Sequence, residues 1–363
     1  MLEALQARIK DAAASGITLN IVGHGSKAFY GGEPVFGTTC EPLAMGGLTG
    51  ITSYEPSELV VTAKAGTPIA ELEAALAEKG QHLPFEPPRF SGRGTVGGMI
   101  ASGLSGPARA SVGALRDHVL GVTMVNGQGE AMRFGGTVMK NVAGYDVSRV
   151  IAGSMGVLGV IAEVSLKVLP LPYAEATLRF ELGQAQALLQ LNRWGGQPLP
   201  INASAWWDGA LVLRLAGARA AVHSATLTLG GELIPDDLAR PFWTGLRDHS
   251  DEFFLGAERA VQGGAALWRL SLPQTAPMLS HLHGEQLVEW GGAQRWVTTP
   301  MAAAQVREMA AAVGGHATLF RATDKSAGAF TPLSPPLARI HRELKKSFDP
   351  QGVFNPGRLY ADL

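Results

Sequence analysis

Apolar positions recur along this chain at helical or strand spacing over long stretches, and these periods predict most of its elements before any chemistry is considered. MLEALQARIKDAAASG predicts an amphipathic helix that ends at Gly16. ITLNIV, from Ile17 to Val22, is a β-branched run that stops at the glycine-rich turn GHGSKAFYGG. A second strand, ELVVTAKAG from Glu58 to Gly66, is followed by TPIAELEAALAEKG, a helix with Thr67 and Pro68 at its start and Gly80 at its stop. The order to this point is β-loop-β-α.

QHLPFEPPRFSGRGTVGGMIASGLSGP is almost entirely turn residues, yet it contains Met99 and Ile100, which predicts a buried loop wrapped round something. HVLGVTMVNGQGEAMRF predicts a hairpin of two alternating strands joined at Asn126-Gly127. DVSRVIAG is a short helix for which Asp146 serves as N-cap, and GVIAEVSLKVLPLP is a strand ended by Pro170 and Pro172. From Tyr173 to about Phe320 the pattern changes to fewer glycine loops, many tryptophans and alternating runs such as SAWWDGALVLRLAG and AALWRLSLP between helical stretches. This predicts a second α+β domain. SPPLARIHRELKKSFDPQGVFNPGRLY closes as a Pro-started amphipathic helix, stopping before Asp349-Pro350, and a Gly/Pro-rich tail.

Composition narrows the function classes. The 363 residues are enough for two domains, and 30 Lys+Arg against 31 Asp+Glu, without like-charge runs, argue against nucleic acid or an anionic bilayer as partner. No apolar run reaches the length of a membrane span and the first helix lacks the pattern of a leader, so the expectation is a soluble, cytoplasmic protein. Cys40 is the single cysteine, which excludes an internal disulfide and an iron–sulfur cluster held by four thiolates of this chain. Glycine is abundant, at 46 of 363 residues.

Those glycines form three candidate phosphate loops. Gly23-His24-Gly25-Ser26-Lys27-Ala28 fits G-x-G-x-x-A after a strand, but Gly31, Gly32 and Pro34 block the helix that a dinucleotide fingerprint requires. The remaining readings are a nest of converging backbone N–H groups or a tight turn between strands. Thr95-Val96-Gly97-Gly98, continuing to Ser102, Gly103 and Ser105, is a second place where backbone can approach a ligand, with hydroxyls as extra donors. The third, GSMGVLG from Gly153 to Gly159, enters a strand instead of leaving one, so it is not a dinucleotide turn. Glycine-lined packing of helix on strand is its simplest reading.

The combination says more than any single loop. Two glycine-rich nests, a hairpin, then GYD, GSMGVLGVIAE and a terminal DPQGVFNPGR resemble, in order and spacing, the FAD-binding fold of the vanillyl-alcohol oxidase / p-cresol methylhydroxylase (PCMH-type) family over about Leu19 to Leu169 and Phe348 to Leu359. Within it, LPFEPPRF, TVGGMIASGLSGP, RDHVLGV and FGGTVMKNVAGYDVSRVIAGSMGVLGVI look most like the smaller FAD-binding subunits of bacterial glycolate oxidases.

The resemblance implies an α+β chain: a PCMH-type FAD-binding domain of two α+β subdomains (1–172), a smaller α+β cap domain facing substrate or partners (173–330), and a C-terminal helix and tail returning to the FAD domain (331–363). It implies FAD held by backbone amides, with Gly23, His24, Gly25, Ser26 and Lys27 as the first nest. Thr95, Val96, Gly97, Gly98, Ser102, Gly103 and Ser105 would form the second, and the backbone of Gly159, Val160 and Ile161 would run along the cofactor. Asn355 would reach the isoalloxazine, and Arg116, Asp117, Lys140 and Asn141 would be lesser contacts. Ser26 stands where some relatives carry the histidine that attaches FAD covalently, so the FAD here is expected to be non-covalent.

Relatives that oxidise 2-hydroxy acids carry a metal-binding histidine cluster in the cap. Here His281, His283 and His316 have no carboxylate at a matching spacing, a surface reading fits them better, and no metal is expected. The resemblance implies partners: a larger FAD-binding 2-hydroxy-acid oxidase subunit, an iron–sulfur subunit that takes electrons to the membrane, and glycolate as substrate. Two other readings stay open. One is a free-standing FAD-dependent 2-hydroxy-acid dehydrogenase with His281, His283, His316 or Arg321 as candidate base; the other is a flavin-less structural subunit. The sequence identifies no catalytic residue.

Overall fold

Helix α1 (Leu2–Ser15) buries Ile9 and Ala12 and ends at Gly16, whose φ of 67° gives the left-handed cap that glycine favours. It covers β1 (Thr18–Val22), which pairs in parallel with β2 (Cys40–Ala44). The computed structural model describes residues 1–33, 40–138 and 145–363.

A five-stranded antiparallel sheet follows, ordered β3 (Ile51–Glu55), β4 (Val60–Lys64), β8 (Val160–Lys167), β6 (Val119–Val125), β7 (Ala131–Gly135). Helices α2 (Ile69–Ala77), α3 (Val96–Ser102) and α5 (Val147–Ile151) add Leu72, Leu76, Met99, Ile100 and Ile151 to the core of Val61, Val122, Val164 and Leu166. Burying each such side chain stabilises by about 1.5–3 kcal/mol relative to exposure. The short helix α4 (Arg109–Val112) and the pair β5 (Gln81–His82) with β9 (Leu169–Pro170) complete this part.

The second sheet has eight antiparallel strands, in the order β13 (Glu232–Ile234), β10 (Ala174–Glu181), β12 (Ala210–Gly217), β11 (Ile201–Trp207), β15 (Glu285–Glu289), β16 (Gln294–Thr299), β14 (Ala266–Ser271), β17 (His316–Arg321). Alternation along its strands serves two layers. Leu267, Trp296 and Phe320 face helices α8 (Asp236–Asp248) and α9 (Glu252–Gln262) together with Tyr30, Phe90 and Met155 of the first part. Their neighbours Trp268, Val297 and Leu319 face α10 (Ala303–Ala312). Helices α6 (Gln184–Gly195) and α7 (Arg219–Leu229) cover Leu213 and Leu215 of β12.

Helix α11 (Pro335–Phe348) returns the chain to the first part. Its tail runs beside β1: the Leu19 N–H donates to the Val353 carbonyl at 2.6 Å and the Asn355 N–H to the Leu19 carbonyl at 3.0 Å. No helix among the described residues is long and apolar enough to cross a membrane.

Three expectations need correction. Met99 and Ile100 lie in helix α3, not in a loop, because Thr95 caps it by accepting from the Gly98 N–H at 3.2 Å. The hairpin is present, but its connection is longer than Asn126-Gly127 alone. It turns through Asn126 to Glu130, where the Asn126 carboxamide oxygen accepts from the Gln128 and Glu130 N–H groups at 3.0 and 2.9 Å, and the positive φ of 71° falls on Gly129. Strands β2 and β3 stand between β1 and β4, where the sequence predicted loop.

Candidate functional site

Strand β1 delivers the chain to Gly23, where a Cβ would overlap the Thr95 hydroxyl, so the absence of a side chain lets the two glycine-rich segments touch. Gly25 has φ +70° with open space where a Cβ would stand. Two turns follow: the Ala28 N–H donates to the Gly25 carbonyl and the Tyr30 N–H to the Lys27 carbonyl, both at 3.0 Å. Upstream of them, the N–H groups of His24, Gly25, Ser26 and Lys27 have no acceptor among the described residues, and all four residues line one cleft. Successive unpaired N–H groups around a left-handed glycine form an anion-binding nest.

The second segment contributes selectively. Thr95, Gly98, Ala101 and Ser102 face the cleft. The Val96 and Gly97 amides are engaged elsewhere, donating to the carbonyls of Thr67 at 2.9 Å and Ala65 at 2.7 Å, and the Val96 side chain is fully buried. The Ser102 hydroxyl donates to the Met99 carbonyl at 3.0 Å, and Gly103 caps α3 with φ 62°. Ser105 lies on a separate small cavity and accepts from the Leu115 N–H at 3.0 Å. Arg116 and Asp117 are exposed away from the cleft. Lys140 and Asn141 lie outside the described residues.

The third segment reaches the cleft through Met155, not through Gly159, Val160 or Ile161, which sit in and before β8 against β6. Asn355 lines the cleft, but both ends of its carboxamide are engaged. Its oxygen accepts from the Ile21 N–H at 2.8 Å and its nitrogen donates to the Met155 carbonyl at 2.7 Å.

Positive charge surrounds the nest. Burial pushes the Lys27 ammonium down to about 8, against the attraction of Asp248. Lys325 is likewise pushed down to about 8, chiefly by burial, and burial lowers Arg358. Among the described residues none of these three cations forms an ion pair with a carboxylate. Buried charges are ordinarily paired, so the counter-charge is expected from a bound anion. A diphosphate matches both the amide cradle and the charge.

A second polar group lies where α8 and the larger sheet meet the first part. His249, at φ 55° after α8, stacks on Phe254 at 3.6 Å with its Nδ1 buried and unpaired. Burial, with Arg321 and Arg269 nearby, holds its pKa well below the ordinary value. Glu289 is buried and pushed up to about 7, although Gln294 and Trp296 donate to it at 2.9 and 2.7 Å. Arg269 donates to the Tyr30 hydroxyl at 3.1 Å. Apart from Arg321, the sequence held no signal for this group, because its members come from the end of α8, the turn after β1 and several separate strands. His281 and His283 are exposed before β15, and His316 is exposed at the start of β17. No group of three or more His, Cys, Asp or Glu among the described residues could hold a metal ion.

Residues 2–149 match the family described as FAD binding domain, so the cleft belongs to an FAD-binding oxidoreductase, and its free amides and positive charge fit the diphosphate of that cofactor. Over 361 residues the chain is 46% identical to glycolate oxidase subunit GlcE of Escherichia coli strain K12, covering 99% of this chain and 98% of that one. The chain belongs to the family of that subunit. It is also 33% identical over 128 residues to glycolate oxidase subunit GlcD of Bacillus subtilis, a match spanning 35% of this chain and 27% of the relative. With D-lactate dehydrogenase of Anaerostipes hadrus it shares 33% over 129 residues, 35% of this chain and 26% of that one. Alkyldihydroxyacetonephosphate synthase has the same fold, with a TM-score of 0.66 at 14% identity over 97% of this chain and 74% of that one.

Proposed function

We propose that this chain is the FAD-binding subunit of a multi-subunit glycolate oxidase, contributing to oxidation of glycolate and related 2-hydroxy acids to 2-oxo acids. The observation that carries the reading is the nest of four N–H groups beside three cations, the former without acceptors and the latter without carboxylate partners among the described residues, in a chain matching a glycolate oxidase subunit along its whole length. Bound FAD would supply two-electron chemistry with onward one-electron delivery. The chain's own part is to hold the diphosphate at His24 to Lys27 and beside Thr95, Gly98 and Ser102. Ser26 offers no nitrogen for a covalent link, which supports non-covalent FAD.

With Cys40 alone, this chain cannot hold a four-thiolate cluster, which supports an iron–sulfur partner as electron acceptor and a larger FAD subunit beside it. In this reading residues 173–330 face those partners, and the complex sits in the cytoplasm at the inner face of the membrane. Co-purification from the native source, with flavin and iron counted per complex, tests it. A chain isolated alone and fully active on glycolate would sink the subunit reading, and a colourless complex subunit would sink the flavin reading.

A further inference from the structure

The nest is braced by two cations that arrive from far along the chain, one of which, Arg358, also lines the cleft. Lys325 follows β17, and its ammonium donates to the carbonyls of Phe29, of Gly31 at 3.2 Å and of Phe320 at 3.4 Å. Arg358 lies in the terminal tail, and its guanidinium donates to the carbonyls of Gly32 at 3.2 Å, Lys27 at 3.1 Å and Ala28 at 2.7 Å. The contact is reciprocal, since the Gly32 N–H donates to the Arg358 carbonyl at 2.8 Å. Gly31 and Gly32 permit this docking: a Cβ on Gly31 would stand 2.8 Å from the Arg358 carbonyl oxygen, and one on Gly32 would overlap the Gly357 carbonyl.

Resting on the FAD reading of the cleft, we propose that Lys325 and Arg358 are positioning residues that lock the first nest in its anion-binding shape by capturing the carbonyls of Lys27, Ala28, Phe29, Gly31 and Gly32. A nest works only while successive N–H groups converge on one point, so the peptide planes beside it must not rotate. Five carbonyls directly after the free amides are fixed by the two cations, which leaves little freedom except at residues 24–26. Charged donors make these bonds stronger than neutral ones. Neither cation forms an ion pair among the described residues, so each also leaves positive charge beside the anion site, Arg358 on the cleft wall itself. The cofactor cradle is therefore complete only when the segment after the larger sheet and the last residues of the tail have docked.

The test uses the full-length chain and two ligands that share the diphosphate, FAD and ADP. Their Kd values are measured for wild type, Lys325→Met, Arg358→Gln and the conservative variants Lys325→Arg and Arg358→Lys, alongside the melting temperature of the flavin-free protein. Each neutral variant is expected to weaken FAD and ADP by the same factor of about ten, as loss of charge-assisted bonds requires, and to lower the melting temperature as the captured carbonyls lose their donors. Lys325→Arg should recover most of the affinity. Arg358→Lys should not, because an ammonium lacks the planar fork that reaches three carbonyls. If the neutral variants do not fold, this ordering of the conservative pair decides. Unchanged Kd values, or weakening of FAD without ADP, would overturn the proposal. Wild-type protein that takes up neither ligand would instead overturn the FAD reading beneath it.

Discussion

Two glycine-rich segments of this chain look alike in sequence and do opposite things. In Gly23 to Lys27 the positive-φ residue, Gly25, has open space beyond its Cα, and the N–H groups of these cleft-lining residues from His24 to Lys27 have no acceptor among the described residues. In Gly153 to Gly159 the places of the missing side chains at Gly156 and Gly159 are taken by other protein atoms, while Gly153 faces open space. A Cβ on Gly156 would stand 2.6 Å from the Asn355 amide nitrogen, and one on Gly159 would stand 2.7 Å from the Val125 carbonyl oxygen. The first segment leaves backbone donors free for an anion, and the second is a socket for the tail. Glycine density marks close approach in both cases; what distinguishes a ligand site is which N–H groups the protein itself leaves without acceptors.

The socket should be the more sensitive to folding. Lys345 donates to the carbonyls of Val157 and Phe354, both at 2.9 Å, and pairs with Asp349 at 2.8 Å. Asp349, fully buried, in turn accepts from the Val353 and Phe354 N–H groups at 2.9 Å. Asp349→Ala strands a buried ammonium and two N–H groups, so a loss of about 4 kcal/mol in urea unfolding is expected. A loss below about 1 kcal/mol would mean that the tail does not depend on this pair. Gly156→Ala comes next. It adds left-handed strain at φ +76° and pushes on the Asn355 carboxamide that ties Ile21 to Met155, for a loss of about 3 kcal/mol.

How much of this was legible before the structure follows the same division. Helices α1, α2 and α11 and strands β1, β4 and β8 carry clear periods with caps or prolines at their ends, and each appears where its pattern places it. Strand β2 was hidden by Pro42 and β3 by its polar residues, since both have one solvent-facing side. Helix α3 was hidden because VGGMIAS has poor helix propensity. Its cap at Thr95, and the Ala65 and Thr67 carbonyls that take its first amides, outweigh that propensity. Among site residues, the glycine loops were readable locally. Lys325 and Arg358 were not, for each acts on carbonyls roughly 300 residues away, a relation no local spacing records.

Lys27 sharpens the contrast on the ligand side. Its ammonium makes no hydrogen bond among the described residues and lies over the Phe90 ring at 5.4 Å, so Lys27→Met should raise flavin-free stability at neutral pH, where burial disfavours the charge, and weaken FAD about tenfold. The two pH dependences have opposite signs. Its folded pKa of about 8 lies below the unfolded value of 10.5, so between these values the unfolded chain binds more protons and flavin-free stability rises with pH. An anion binds the protonated form, so FAD affinity is full below about pH 8 and falls as pH rises through it. Lys325 adds in the same direction. Measuring Kd and unfolding midpoint across this range, for wild type and Lys27→Met, checks both signs; parallel trends would contradict the assignment of Lys27 to the anion site.

The smallest effect on folding is expected at Gly25. Its φ of +70° strains any side chain, but nothing stands within 4 Å of the added Cβ, so Gly25→Ala should cost only about 1 kcal/mol of stability. The residual difference from Gly156→Ala, about 2 kcal/mol, isolates the collision with Asn355 from the shared backbone strain. In FAD affinity the ranking should reverse, because the torsions at Gly25 aim the His24 to Lys27 amides, whereas Gly156 acts on the tail. Equal stability losses at the two glycines, or FAD binding that is indifferent to Gly25, would erase the distinction between cradle and socket.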